Sequence, residues 1–587
     1  MNGEPADDVR TGSLRITEII FRAGNSPSAQ PLHLPTGNVT ILVGPNNAGK
    51  SLALREIEFA CTKLQGTGLP PANATSPQVV LGVALDLPQA IEEVMDLMRP
   101  FKHPAEQPPY APGNEQFTVA YSLPNGSLHQ GHIVETLLRT ALGPSGNHDM
   151  LRNTIMPVYT VRLDGRTRFN IPMSGSTDSL VNRPTTHLQV LFREKTALRK
   201  LQDITHDAFG RYIMIDASTE PGKLFLRMSD HRTQAEYEHL LTEDAAHYFA
   251  QQPLLATFSD GVQAFVALTG TVIGSRYKVI LIDEPEAFLP PPIARRLGAE
   301  LTRVARERGG SLVVATHSAD FVMGCVEESN QASVVRLTYQ RETGVATARL
   351  LSATDLTRMM RHPLLRSTGV FRSLFHEAAV VTEGDSDRVF YDEMNQRLLR
   401  DGAGRGMRDT LFLNALGWST EHEMIRPMRR VGIPVAAILD MESLDDRKRN
   451  NWPQLLDACQ VPEDQQATLE AERGYLRDLI VSTPDGHDRI KDEGLAFFVD
   501  VDRVRAQRLF HNYALYGLFI VDVGELEGWL KPFGNGKHAN EWMMALFNRI
   551  GLDDQDDNYV RPGPDDVWSF IDSIAAWVSN TSRLGTD

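Results

Sequence analysis

The stretch Gly44-Pro45-Asn46-Asn47-Ala48-Gly49-Lys50-Ser51 limits what this chain can fold into more than any other. It follows the apolar run Val39-Thr40-Ile41-Leu42-Val43 and leads into Leu52-Ala53-Leu54-Arg55-Glu56-Ile57, which reads as a helix. Strand, G-x-x-x-x-G-K-S, helix is the context in which such a loop cradles phosphate. Gly44 and Gly49 let the backbone bend around Asn46 and Asn47 so that its N–H groups point inward. The start of the following helix adds positive field. Lys50 is placed for the β- and γ-phosphates of ATP, and Ser51 for Mg2+. A glycine-rich turn with a chance lysine is the bland alternative, and the partner residues that follow downstream in the required order argue against it.

The first partner is Tyr277-Lys278-Val279-Ile280-Leu281-Ile282-Asp283-Glu284-Pro285-Glu286, an apolar strand ending in paired acids. Asp283 is expected to hold Mg2+ through water, and Glu284 to orient or deprotonate the attacking water. Just upstream, Phe258-Ser259-Asp260-Gly261-Val262-Gln263 opens a helix expected over 264–273; alone it reads as an ordinary helix cap. Another apolar run, Ser311-Leu312-Val313-Val314-Ala315, ends in Thr316-His317-Ser318, where His317 is placed to sense the γ-phosphate. A lone histidine is more often structural; here the motif order favours the sensor.

With 587 residues the chain has room for about three or four domains. Its net charge of −16 argues against a protein that coats nucleic acid by charge alone. A local basic groove, and carboxylates gathered at metal sites, remain compatible with that total. Cys61, Cys325 and Cys459 lie far apart, which suits a reducing compartment and shows no zinc spacing. No run approaches the ~18 apolar residues of a membrane span. The acidic start Met1-Asn2-Gly3-Glu4 is unlike a signal peptide, so a cytoplasmic protein without a membrane partner is expected. Strands are expected over 14–22, 79–87 and 158–171, and helices over 189–209 and 235–249. Pro- and Gly-rich breaks fall at 66–77 and 102–115.

Past residue 355 the pattern restarts. Ala378-Ala379-Val380-Val381-Thr382-Glu383-Gly384-Asp385-Ser386-Asp387 is an apolar strand ending in an acidic turn, with a helix expected over 388–399. Val435-Ala436-Ala437-Ile438-Leu439-Asp440-Met441-Glu442 is a second one. Residues i and i+2 at a strand end project the same way, so Asp440 and Glu442 are expected to share a cation, joined by Glu383 and Asp387 if the strands are neighbours. All-oxygen ligands select Mg2+, Mn2+ or Ca2+ over zinc. In the stretch Leu515 to Leu530 a strand then runs into Gly524-Glu525-Leu526-Glu527 at an expected helix start. Glu525 and Glu527 are candidates for a second metal position, against the plain reading of acids favoured in a helix's first turn. Lys491, Lys531 and Lys537 are candidates to stabilise a phosphate in transition, with Lys537 preferred; each alone reads as a surface lysine.

The first set of motifs resembles the ATP-binding-cassette ATPases of the chromosome-maintenance and recombination-repair type. In that resemblance Ser259 and Gly261 belong to the signature that contacts the γ-phosphate of ATP on an opposing subunit, implying a homodimer or higher oligomer. Asp260 departs from the Gly or Ser of many relatives. The family's glutamine loop has only Gln78 and Gln189 as candidates. The second set resembles the Toprim domain, with Asp-Met-Glu in place of Asp-x-Asp. Together they resemble the overcoming-lysogenization-defect (OLD) nucleases, whose relatives include the nuclease subunit of the Gabija anti-phage system. The resemblance implies an α/β fold: an ATPase domain over 1–355, with an insertion of about 66–250 as a dimerisation element, then a Toprim domain over 375–587. It also implies ATP hydrolysis, cleavage of DNA with Mg2+ or Mn2+, and a defence role with a second defence-system protein as a further partner. A nucleotide-switched sensor or scaffold whose Toprim site does not cut is the alternative. A topoisomerase or primase would need a nucleophilic-tyrosine or template-binding module, and neither is seen.

Overall fold

The computed structural model describes residues 14–62, 79–102, 115–122, 128–142, 148–165, 174–177, 184, 186–220, 222–233, 241–329, 331–340, 343–351, 356, 362–363, 365, 369–402, 404–446, 451–533, 539–551 and 554–586. The chain divides into two compact units, one of residues 1–43 and 47–353, the other of 354–587 together with 44–46.

The first unit is organised by a six-stranded sheet. Its strands in chain order are β1 (Val39–Val43), β2 (Thr160–Leu163), β3 (Val279–Asp283), β4 (Ser311–Ala315), β5 (Ser333–Gln340) and β6 (Val345–Leu351). Across the sheet the order is β6-β5-β1-β4-β3-β2. All neighbours run parallel except β5 and β6. Every residue of β1 and β4 is buried, as continuous Val/Ile/Leu runs require when both faces of a parallel sheet are covered. The register pairs Asp283 with Ala315 and Ala315 with Leu42. The chain therefore leaves β1, β3 and β4 at one level of one edge, the carboxyl edge, where open α/β sheets bind ligands. Helix α1 (Lys50–Thr62) starts in the phosphate loop, and α2 (Asp260–Gly274) precedes β3. The strand expected over 158–171 is corrected at its start: Val158 and Tyr159 end a helix, His148–Tyr159, and among the described residues only Thr160–Leu163 pairs with β3, while 166–171 lie outside the described residues. The β-branched run there is too short to tell strand from buried helix by pattern. The helix expected over 189–209 is two, His187–Arg193 and Lys195–Phe209, broken at the extended Glu194. The helix expected from 235 begins at Glu243 among the described residues.

The second unit contains a four-stranded, all-parallel sheet of β7 (Ala378–Thr382), β8 (Thr410–Asn414), β9 (Val435–Leu439) and β10 (Leu518–Ile520), in the order β8-β7-β9-β10. Helix α3 (Asp385–Asp401) follows β7, α4 (Glu421–Arg430) follows β8, and α5 (Gly486–Glu493) packs near the turn after β10. Two expectations at the carboxyl edge of this sheet are corrected. The chain does not continue as a strand past Leu439. Met441 N–H donates to the Gly524 carbonyl at 2.9 Å and Ser443 N–H to the Asp440 carbonyl at 3.0 Å, coiling Met441–Asp445 into a 3-10 turn. The argument from residues i and i+2 of a strand therefore does not apply to Asp440 and Glu442. Past β10, Glu525 and Glu527 open no α-helix; Leu526–Gly528 is a single 3-10 turn.

Candidate functional site

At the first carboxyl edge, Gly44 (φ +142°), Asn47 (φ +62°) and Gly49 (φ +93°) bend the loop, with Asn46 and Asn47 exposed. Gly49 has no room for a side chain: an added Cβ would stand 2.8 Å from Val79 Cγ2. Gly49→Ala is therefore expected to cost about 1–3 kcal/mol of stability. Urea denaturation of the full chain measures this, and a variant as stable as wild type contradicts it.

Lys50 is 5% exposed. Burial lowers its ammonium to about 8, opposed by the charges of Asp283, Glu284 and Glu286. Ser51 is exposed at the helix start, and its hydroxyl bonds the Asp283 carboxylate, which burial otherwise raises. Glu284 takes a left-handed backbone (φ +50°), fixed by its N–H donating to the Ala315 carbonyl at 2.8 Å. Its carboxylate lies 3.7 Å from His317 Nε2. Burial, then the charge of Lys50, lowers the His317 imidazole, which favours a neutral ring. Sequence reasoning passed over Glu286. Its Oε1 accepts from the His317 N–H at 2.8 Å, while Oε2 is buried without a partner among the described residues. It reads in the sequence as one more turn acid. Ser259 and Asp260 are exposed at the start of α2. Gly261 is buried so closely that a Cβ there would come 2.6 Å from the Phe288 carbonyl oxygen. Gln189 caps its own helix, accepting from Thr186 N–H at 3.3 Å, and Gln78 lies outside the described residues.

At the carboxyl edge of the second unit's sheet, parallel pairing of β7 with β9 and of β9 with β10 brings the three acidic turns side by side. Burial, then the charges of Glu442 and Asp387, pushes the Glu383 carboxyl up to about 7. Asp440 is raised well above the carboxylate range by burial, then by Asp387, Glu383, Glu442 and Glu525. Asp387 is raised by burial and by Glu527, and its Oδ2 accepts from the Gly384 N–H at 2.8 Å. Glu525 is raised by burial, then by Glu527. The six acids thus act on one another through their charges, while Lys491 of α5 pairs with Glu442 and lies 3.8 Å from Glu525. Among the described residues no group of three or more His, Cys, Asp or Glu is preassembled to hold a metal ion. Lys531 is exposed with its Nζ 3.5 Å from the Asp492 carbonyl, and Lys537 lies outside the described residues.

The sequence also missed Glu421, in the first turn of α4. It is fully buried, neither carboxyl oxygen has a partner among the described residues, and it is raised by burial and by Glu383, Asp440 and Asp387. An acid in a helix's first turn carries no sequence signal beyond the helix dipole. These unpartnered buried oxygens and mutually repelling carboxyls fit a divalent cation, which needs several oxygen ligands and offsets their charge.

A carboxyl raised in the fold favours the fold while protonated. That contribution is present below the unfolded value near 4.5 and is lost as pH rises through about 7. In EDTA, wild type is therefore expected to lose stability relative to Glu383→Gln from pH 5 to 7.5, by about 1 kcal/mol per pH unit. Chemical denaturation at four pH values checks this, and a flat difference contradicts it.

Residues 207–324 match the family model described as "AAA domain, putative AbiEii toxin, Type IV TA system". The phosphonates import ATP-binding protein PhnC 2 of Pseudomonas savastanoi pv. phaseolicola (strain 1448A / Race 6) is 28% identical over 153 residues, 26% of this chain. The chain spans about half the length of that curated relative, 53%. Among solved structures, the SMC head bound to the C-winged helix domain of ScpA is 14% identical, covering 58% of this chain and 98% of that one at a TM-score of 0.32. The SMC head domain from Thermotoga maritima is 12% identical, covering 57% and 98% at a TM-score of 0.26. Among the described residues no helix is long and apolar enough to cross a membrane. The phosphate loop leaves the middle of a parallel sheet, and the family match spans the acids and the histidine beside it, so the first unit is similar to the ATP-binding domains of P-loop ATPases.

Proposed function

We propose that this chain is an ATP-hydrolysing, divalent-metal-dependent DNA endonuclease of the OLD type, acting in anti-phage defence. The observation that carries this is the gathering of Glu383, Asp387, Asp440, Glu442, Glu525 and Glu527 at the carboxyl edge of an all-parallel sheet, on a chain that also holds an ATP site. In the ATP site Lys50 and the loop N–H groups bind phosphate oxygens, Ser51 and Asp283 would hold Mg2+, and Glu284 takes the proton of the attacking water while His317 meets the γ-phosphate. Ser259 and Gly261 serve the nucleotide of a second copy, so the working form is a homodimer or higher oligomer. Its closing and opening gate the Toprim centre.

In that centre Glu383, Asp387, Asp440 and Glu442 would hold one cation, and Glu525 and Glu527 a second. A cation bound there supplies Lewis-acid chemistry, lowering the pKa of bound water and neutralising phosphate charge. Glu383 and Asp440 must ionise to serve, and Lys537 is the candidate for holding the phosphate in transition. A match to a family model whose description includes "AbiEii toxin, Type IV TA system" supports a defence setting; the cytoplasm as location and a second defence-system protein as partner belong to the same proposal.

A second reading is a nucleotide-switched scaffold that binds metal or ligand without cutting. The pairing of Glu442 with Lys491 favours it. Incubation of plasmid and linear DNA with the protein in Mg2+ or Mn2+, with no nucleotide, ATP or a non-hydrolysable analogue, separates the two. Cutting supports the nuclease. ATP hydrolysis without cutting under every condition supports the scaffold.

A further inference from the structure

We propose that Lys491 is a tethered counter-ion: its ammonium bridges Glu442 of the first cation position and Glu525 of the second, and it must swing away before a divalent cation can bind. This rests on reading the acidic cluster as a cation centre.

The geometry is specific. Lys491 pairs with Glu442 and stands 3.8 Å from Glu525 Oε2, so one ammonium spans an acid from the turn after β9 and an acid from the turn after β10. Its side chain is 29% exposed, so this is no freely solvated surface pair. Burial alone would lower the ammonium; the Glu442 bond and the charges of Glu442, Glu525 and Asp440 outweigh it and raise it. One helical turn earlier on α5, His487 sets Nδ1 3.3 Å from Asp445 Oδ2 and Nε2 3.9 Å from Glu442 Oε2. Residues four apart share a helix face, so α5 turns a basic face to the acids.

The helix itself is held in place. Leu495 N–H donates to the Asp522 carbonyl at 2.7 Å. A Cβ on Gly524 would stand 2.0 Å from the Lys491 carbonyl oxygen. The backbones of α5 and of the turn bearing Glu525 are therefore in contact, and displacement falls to the lysine's four-carbon stem.

A single ammonium cannot neutralise this cluster. Glu383 Oε2 and both oxygens of Glu421 stay buried without a partner among the described residues while Lys491 is in place. Those atoms call for a more highly charged occupant, and Lys491 competes with it for Glu442. The lysine thus keeps the metal-free cluster assembled and weakens metal affinity.

The test is Mn2+ titration of the full-length protein without nucleotide, following free Mn2+ by electron paramagnetic resonance. Sites belonging to the cluster are those lost in Glu383→Gln. At these sites Lys491→Met and Lys491→Gln are expected to bind Mn2+ about tenfold more tightly than wild type. Lys491→Arg, which keeps the charge, is expected to stay near wild type. Arg489→Met, on the same helix but paired with Glu493, is the control for charge loss alone and is expected to change nothing. In EDTA the thermal midpoint of Lys491→Met is expected to fall, and saturating Mn2+ to restore it. Unchanged or weaker binding in Lys491→Met and Lys491→Gln, with Glu383-dependent binding present in wild type, overturns the proposal. No Glu383-dependent binding in any variant overturns the cation-centre reading itself, and the proposal with it.

Discussion

Glu383→Gln is expected to lower DNA cleavage by about a thousandfold, roughly 4 kcal/mol of transition-state stabilisation, while leaving ATP hydrolysis unchanged. The substitution keeps the size of the side chain and removes one negative charge from the middle of the cluster. Glu383 stands at the end of the strand flanked by β8 and β9, its carboxyl receives the Trp418 N–H, and its Oε2 is buried without a partner among the described residues. A neutral amide there cannot offset a cation's charge, and the cation can no longer draw on the ligand nearest Glu442 and Asp387 in electrostatic terms. Loss of folding would not account for the result, because removing a repelling carboxylate is expected to stabilise the metal-free protein. Cleavage rates in saturating Mn2+, beside ATPase rates and thermal midpoints on the same preparations, check this. Equal cleavage by variant and wild type contradicts the assignment of Glu383.

Lys50→Ala is expected to reduce ATP hydrolysis by a hundredfold or more, about 3 kcal/mol, and to remove any effect of nucleotide on DNA cleavage. The ammonium is buried among Asp283, Glu284 and Glu286. Its removal strips the phosphate site of its point charge and leaves those acids facing one another. Because burial outweighs those acids and lowers the ammonium to about 8, loss of the charge is not expected to destabilise the nucleotide-free protein, and Lys50→Arg, which restores a charge but not the fit, is expected to recover little hydrolysis. Steady-state ATPase rates and melting curves of the two variants separate the contributions. Hydrolysis near the wild-type rate in Lys50→Ala contradicts the ATP site as described.

The parts of both centres that lie directly on strand ends could be read from the residues. Val39–Val43, Ser311–Ala315, Ala378–Thr382 and Val435–Leu439 are uninterrupted apolar runs, each followed by polar or acidic residues, and each is a fully buried strand. Such runs have few alternatives once turn residues bound them. What failed were inferences that needed the chain to keep going straight. Strand alternation puts Glu442 on the side of Asp440, but its turn is coiled by a long-range bond from Met441 to Gly524, which local pattern cannot announce. The 148–159 helix contains Pro157 and ends in Val158-Tyr159, a composition that points towards strand. The choice among the lysines is hard to read from sequence for a different reason, and Lys537 lies outside the described residues. Lys491, Lys531 and Lys537 are equivalent as sequence, and only the packing of Gly486–Glu493 against the Glu525 turn sets Lys491 apart. Glu421 and Glu286 matter through buried oxygens (both of Glu421, Oε2 of Glu286) that have no partner among the described residues, a property of tertiary structure alone.

One chain is proposed to join an ATP site to a cation-dependent cleavage site. The most direct test is a cleavage time course on supercoiled plasmid in Mn2+, without nucleotide, with ATP and with a non-hydrolysable analogue, for wild type, Glu383→Gln and Lys50→Ala side by side. The proposed coupling requires cutting by wild type that changes with nucleotide, no cutting by Glu383→Gln, and cutting by Lys50→Ala that nucleotide no longer changes. Cutting that persists in Glu383→Gln, or no cutting by wild type under any condition while ATP is hydrolysed, would contradict it.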